Sequence, residues 1–239
     1  MKTKNLLIAL LLITGLLSGC SSGAKVGPLE SESQSVELGG LRSVNVNIDF
    51  GAGDLKVTGG ASKLMQADFN YNVAELKPVV KFTDGMLFVQ QPAVDGLPVL
   101  QGITDFRNEW NLHLADQVPM KLKVNMGAGN SDLKLAGLSL TGLDLTLGAG
   151  TSTVDLNDDW MRDLDVTIDA GATDLSVRLP KDIGVRVKVE DGPHTIAAPD
   201  LKQDGNIYTN DAYGVSSVTL HIDLRSGIGL IHLQLVNSQ

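Results

Sequence analysis

The sequence has one cysteine in 239 residues, at position 20. No intramolecular disulfide can form, so stability has to come from packing. Aromatic residues make up only 4% of the chain. That suits thin layers filled by Leu, Val and Ile better than a thick sandwich core. The longest apolar run, residues 6–17, falls short of the roughly 20 residues that a spanning helix needs. No later stretch has the periodicity of a long amphipathic helix. Excess positive charge is also missing. At a net charge of −9 the chain lacks the clustered Lys and Arg that nucleic-acid phosphates require. The same acidity counts against the body lying flat on anionic lipid. There is no Gly-x-Ser-x-Gly elbow, and no carboxylate pair is marked by its surroundings.

What the chain does have is a repeat. Val124-Asn125-Met126-Gly127-Ala128-Gly129 returns as Leu145-Thr146-Leu147-Gly148-Ala149-Gly150. It returns again as Val166-Thr167-Ile168-Asp169-Ala170-Gly171, and degenerately as Val187-Lys188-Val189-Glu190-Asp191-Gly192. Each copy starts 21 residues after the last, the mark of a stacked repeat architecture. Within a copy, Leu122, Val124 and Met126 alternate with Lys and Asn, and after the glycines Leu133 and Leu135 alternate with Asp132 and Lys134. That is the period of half-buried strands on either side of a corner. One copy cannot close a core alone, so stacked copies bury each other's apolar faces and pair in parallel. The expected fold is all-β, a β-solenoid-like stack of short strands with 21-residue rungs and Gly-Ala-Gly corners. A run of antiparallel hairpins fits the alternation equally well, and the constant spacing favours the solenoid. Gly51, Gly53, Gly127, Gly129, Gly148, Gly150, Gly171 and Gly192 are the expected corner residues.

Four segments follow in chain order. Residues 1–19 read as a signal peptide: Lys2 and Lys4, an apolar run, then Leu17-Ser18-Gly19 before Cys20. This end resembles the bacterial lipobox, which implies cleavage before Cys20 and its lipidation. Several acyl chains would then hold the protein to a membrane, exposed outside the cytoplasm. Residues 20–40, rich in Ser, Glu and Gly, are expected to be a flexible tether. Residues 41–118 form a first β region. It contains an early corner at Gly51-Ala52-Gly53, expected strands around Phe69, Val80 and Leu87, and a hairpin turn at Asp84-Gly85. Residues 119–239 form the repeat domain, with Ser226-Gly227-Ile228-Gly229 as a last corner and a terminal rung that shields the open edge.

The order Asn108-Glu109-Trp110, Val118-Pro119-Met120-Lys121-Leu122, Gly127-Ala128-Gly129, Gly148-Ala149-Gly150, Leu179-Pro180, Ser226-Gly227-Ile228-Gly229 resembles the toast-rack and adhesin-like families of bacterial envelope proteins. These are related to the C-terminal domain of LiaF-type cell-wall-antibiotic response proteins. The resemblance implies a β-solenoid-like body, no enzymatic activity, no catalytic residues, and in the LiaF relatives a role in envelope-stress signalling. This chain has a lipobox where those relatives carry transmembrane helices.

The candidate recognition residues are the large aromatics Trp110, Trp160, Tyr208 and Tyr213, with packing at rung ends as the plainer reading. Residues 91–106 and 197–213 are the expected exposed loops. No cofactor and no metal is expected. Gly-Ala-Gly is followed by a strand, where a phosphate cradle needs a helix. The Asp spacing does not follow nine-residue calcium repeats, and two histidines, His221 and His232, expected on outward positions of the last strands and open to being neighbours, fall short of a zinc set. The expected function is non-enzymatic: a lipid-anchored surface binding, adhesin-like or scaffold module, with an envelope protein or wall polymer as partner. Two alternatives stand beside it, an accessory of envelope-stress signalling and a carbohydrate-active enzyme on a β-helix scaffold.

Overall fold

The structure is a computed structural model and describes residues 25–93, 105–190 and 192–237. The expected signal peptide, Cys20 and residues 94–104 of the expected loop lie outside the described residues.

The repeat builds long strands that bend at their glycines. They are β7 (Met120–Lys134), β8 (Leu140–Asp155) and β9 (Leu164–Pro180). In β7 the buried residues are Met120, Leu122, Val124 and Met126 before the corner, then Ser131 and Leu133 after it. The parity of the inward positions flips across Gly127-Ala128-Gly129. The corner therefore turns the strand while keeping both arms' apolar side chains inside. β7 and β8 pair in parallel with Ala128 opposite Ala149, the 21-residue period read from the sequence.

The next step departs from it. β8 and β9 place Leu145 opposite Ile168 and Ala149 opposite Ala172, a step of 23 residues. The third corner is thus Gly171-Ala172-Thr173, not Asp169-Ala170-Gly171. The longer connection between β8 and β9 carries Trp160, which is buried and donates its indole N–H to the Leu156 carbonyl at 2.9 Å. An Ala-Gly pair occurs in either alignment, so the shift of two was invisible to the repeat.

The fourth copy is displaced too. β14 (Thr219–Val236) lies on β9 with Ile228 opposite Ala172. β10 (Gly184–Val189) and β11 (His194–Ala197) stack on the far side of β14, with Val187 opposite Ile222 and Ile196 opposite Ile231. The chain therefore leaves one layer open after β9, and its last strand fills it. This corrects the expectation that the last strand shields the edge. Leu220, Ile222, Leu224, Ile231 and Leu233 are all buried, and such a strand needs a neighbour on each side. Beyond the first arm of this end lie β13 (Ile207–Thr209), antiparallel on β10, and β12 (Lys202–Asp204).

At the other end β2 (Val44–Thr58) stacks in parallel on β7, with Ala52 opposite Ala128. The coil beyond β2 is in two pieces. β5 (Met86–Gln90) follows its first arm and β6 (Asn108–Leu114) its second. β4 (Val79–Thr83) folds back on β5 through Asp84-Gly85, as expected from sequence. β3 (Met65–Tyr71) pairs antiparallel with β6, and β1 (Glu30–Val36) with β3.

β1 falls inside the segment expected to be tether. Glu30, Glu32, Gln34 and Val36 stand opposite Tyr71, Phe69, Ala67 and Met65. Its inward face is mostly polar, so it shows no apolar alternation. Inward charge on an edge strand is a common guard against further pairing. One sheet and one buried cluster, from Val44 to Leu233, run through the boundary expected at 118/119.

Candidate binding surface

The corners stack into a ridge of bare backbone. A Cβ on Gly148 would sit 1.8 Å from the Gly127 carbonyl oxygen, and one on Gly150 would sit 1.9 Å from that of Gly129. Successive coils approach so closely here that only hydrogen fits. Gly51, Gly53, Gly127, Gly129 and Gly171 likewise stand on the corner line. Gly192 follows β10 beside the Ser226 carbonyl. Most of the ridge is bare backbone and alanine, and the Thr173 hydroxyl on it is taken up by the Gly148 carbonyl at 2.9 Å.

The split coil beyond β2 closes its corner differently. Gln91 Oε1 accepts from Gly51 N at 2.9 Å, from Ala52 N at 3.3 Å and from Asn108 Nδ2 at 2.8 Å. Asn108 Nδ2 also donates to the Ala52 carbonyl at 2.7 Å, and Asn108 Oδ1 accepts the Trp110 indole N–H at 3.0 Å. Two amide side chains replace the backbone corner that the other coils have.

The outer faces of both arms carry side-chain ladders. On the first arm Asp49 accepts from Asn125 at 2.6 Å and from Gln90 at 3.0 Å, and Arg225 binds Asp169. Lys121 pairs with Asp144 at 3.1 Å. On the second arm Asn130 donates to Asp54 at 2.8 Å, Lys134 pairs with Asp132 at 3.5 Å and Arg178 with Asp155 at 3.2 Å. A shallow cleft of about 490 Å³ opens on this second face between Lys56, Asn111 and Thr153. Asp49, Asp54, Asp144, Asp155 and Asp169 are thus engaged with neighbours one layer away, and Asp132 with Lys134 on its own strand. Among the described residues no three His, Cys, Asp or Glu side chains converge as metal ligands.

The candidate aromatics divide sharply. Trp110 is buried, edge-on to Phe50 at 4.9 Å and to Phe69 at 5.2 Å. Trp160 and Tyr208 are buried as well. These three fill the ends of coils and cannot meet an external partner. Tyr213 alone is exposed, at 40%, on the loop that also presents Val215. His221 and His232 sit on opposite arms of β14, facing Asp165 and Ser176 of β9 in register. The Asn157-Asp158-Asp159 turn is held by its own contacts, with Asp158 accepting from Gly137 N at 2.8 Å.

The model of the N-terminal domain of toast_rack, DUF2154, matches residues 25–178. The chain belongs to the toast-rack family. Among solved structures, a proposed cell adhesion protein from Clostridium sporogenes is similar to this toast-rack protein at 30% identity. The match has a TM-score of 0.83 and covers 87% of this chain and all of that one. A proposed adhesin from Bacteroides fragilis matches 86% of this chain and 97% of its own, at 12% identity and a TM-score of 0.34, too distant to argue from. No curated protein sequence matches.

Proposed function

We propose that this toast-rack protein is a non-enzymatic surface module, adhesin-like, held to a membrane through lipid on Cys20. The observation that carries the reading is the similarity, over nearly the whole fold, to a solved structure described as a proposed cell adhesion protein. The layer order supports it. The chain enters at β1, one edge of the sheet, and the exposed Tyr213 and Val215 lie beside the opposite end. Eight strand steps separate β1 from β10, which at about 4.8 Å each is a span of roughly 40 Å. A module anchored at one end would present the other away from the membrane. Its partner is an envelope protein or a wall polymer met along the polar outer faces.

Crosslinking in intact cells with Cys20 retained, followed by capture of the tagged protein, tests the function. Recovery of wall polymer, a surface protein or further copies of the chain is the expected result. Recovery of a sensor kinase or transporter subunit would instead point to envelope-stress signalling. Metabolic incorporation of labelled palmitate, lost in Cys20→Ala, tests the anchor separately.

A further inference from the structure

A second cleft, of about 550 Å³, opens on the outer face of the second arm, on the β1 side of the cleft at Lys56. One row of side chains runs through both. By register, Ser33, Asp68, Asn111, Lys56, Asp132 and Thr153 stand in line across β1, β3, β6, β2, β7 and β8. The first two line the second cleft and the other four the first. The row follows the stacking axis for five strand steps, roughly 24 Å at about 4.8 Å each. It holds hydroxyls, amides and charged groups and no aromatic ring. The ladders do not use it up. Ser33 donates to Asp68 at 2.5 Å, and Asp132 holds Lys134. The Asn111 amide, the Lys56 ammonium and the Thr153 hydroxyl have no hydrogen-bond partner for their side chains among the described residues. Thr151, in the neighbouring row of the same cleft, has none either. A carboxylate accepts up to about four hydrogen bonds, so Asp68 and Asp132 keep acceptor capacity as well. Charge nearly cancels along the row. Lys56 and Lys134 stand against Asp68 and Asp132, and Glu109 in the neighbouring row is paired with Arg107 at 3.1 Å.

These features select the occupant. A lipid surface or an apolar peptide finds no apolar contact along this row. A nucleic acid or another polyanion finds no excess of cations. Unspent donors and acceptors without net charge suit the hydroxyls of a sugar. An extended 1,4-linked pyranose chain also advances by about one strand spacing per ring, about 4.8 Å, so successive rings would meet successive strands in the same relation. We infer that this row is a binding track for an uncharged β-1,4-linked glycan lying along the stacking axis. Lys56, Asn111 and Thr153 donate to and accept from its hydroxyls. This rests on the surface-module reading above and names the chemistry of the polymer met there. With no ring to stack on a sugar face, the hold comes from hydrogen bonds of modest individual worth. Affinity therefore accumulates with chain length, up to the roughly five rings that the row can seat.

The test is titration calorimetry of the full chain, purified in detergent, against the β-1,4-linked hexasaccharides of glucose, mannose and N-acetylglucosamine. At least one binds, and the disaccharide of the same sugar binds about tenfold more weakly. Lys56→Ala and Asn111→Ala, with unchanged circular dichroism, each weaken binding about fivefold. Lys123→Ala, on the outer face of the first arm, leaves it unchanged. Failure of all three hexasaccharides to bind overturns the inference. So does a loss in Lys123→Ala as large as in Lys56→Ala, or tighter binding of poly(glycerol phosphate) than of any hexasaccharide. The surface-module reading is judged apart from this. If no hexasaccharide binds but capture from cells recovers a surface protein, that reading stands and the glycan track falls. If a hexasaccharide binds and is cut to shorter sugars, the track stands and the non-enzymatic reading falls.

Discussion

The central coils and the split first coil solve the same geometric problem with different parts. In β7 and β8 the chain turns its corner through backbone alone, with glycine hydrogens pressed against the carbonyls of the layer beneath, and in β9 Thr173 stands in the second glycine's place and donates its hydroxyl to the Gly148 carbonyl at 2.9 Å. In the first coil the chain is interrupted between β5 and β6. Gln91 and Asn108 supply with side chains the hydrogen bonds that a continuous corner would make. A backbone corner has no tolerance for added atoms, because its neighbours are carbonyls fixed by their own ladder. A side-chain corner tolerates an insertion, and its cost lies in two amides that must stay satisfied in a half-buried setting.

The largest effect should come from Gly148→Ala. The new Cβ would meet backbone atoms of Gly127 that cannot rotate away. We expect a loss above about 4 kcal/mol, read as failure to fold or a collapsed urea midpoint. Gly205→Ala is the control, since its φ of +60° has open space around it, and it should cost about 1 kcal/mol. Near-equal losses at both would refute the close-approach account. Next comes Trp110→Ala, which empties the packing against Phe50 and Phe69 and should cost about 3–5 kcal/mol in thermal unfolding.

Asn108→Ala follows, at about 2–3 kcal/mol, because it strands the Trp110 indole N–H and the Ala52 carbonyl. Gln91→Ala should cost less, and the double variant less than the sum, since the two share one network. Simple additivity would argue against a joint corner.

Smaller still is Tyr71→Phe. Burial first, then the Glu30 carboxylate at 3.2 Å, raises the Tyr71 hydroxyl above its usual 10.0. The native contribution is whole below that pH and is lost as pH rises through the raised value. The variant should lose under about 1 kcal/mol at neutral pH and show a shallower fall in stability above pH 10. Smallest is Lys121→Ala, whose exposed pair with Asp144 should change stability by no more than about 0.5 kcal/mol.

Much of the parallel stack was legible because its causes are local. Alternating Leu and Val mark strands, and glycine marks a corner, in any context. The Asp84-Gly85 hairpin was legible for the same reason, since both residues adopt positive φ. The register of the third coil was not legible, because Ala170-Gly171 and Gly171-Ala172 offer equally good matches, a shift of two leaves the inward parity unchanged, and only the pairing of β9 on β8 decides between them. β1 escaped because an edge strand with inward Glu and Gln has no apolar signature. The recognition residues misled because aromatic size in a sequence does not tell a coil-end filler such as Trp110 from an exposed contact such as Tyr213. The Gln91–Asn108 clamp left no signal beyond the Pro- and Gly-containing stretch between them.

By itself the sequence determined the building block: two short apolar arms about a glycine corner, repeated, with one cysteine set just after an apolar N-terminal run. These follow from steric rules and periodicities that act within a few residues. Only the tertiary structure decided the order of the layers. β14 is the last strand made, yet it lies between β9 and β10, because its buried residues need a layer on each side. Stacking also decided which charges became neighbours, for that depends on which layer each strand joins.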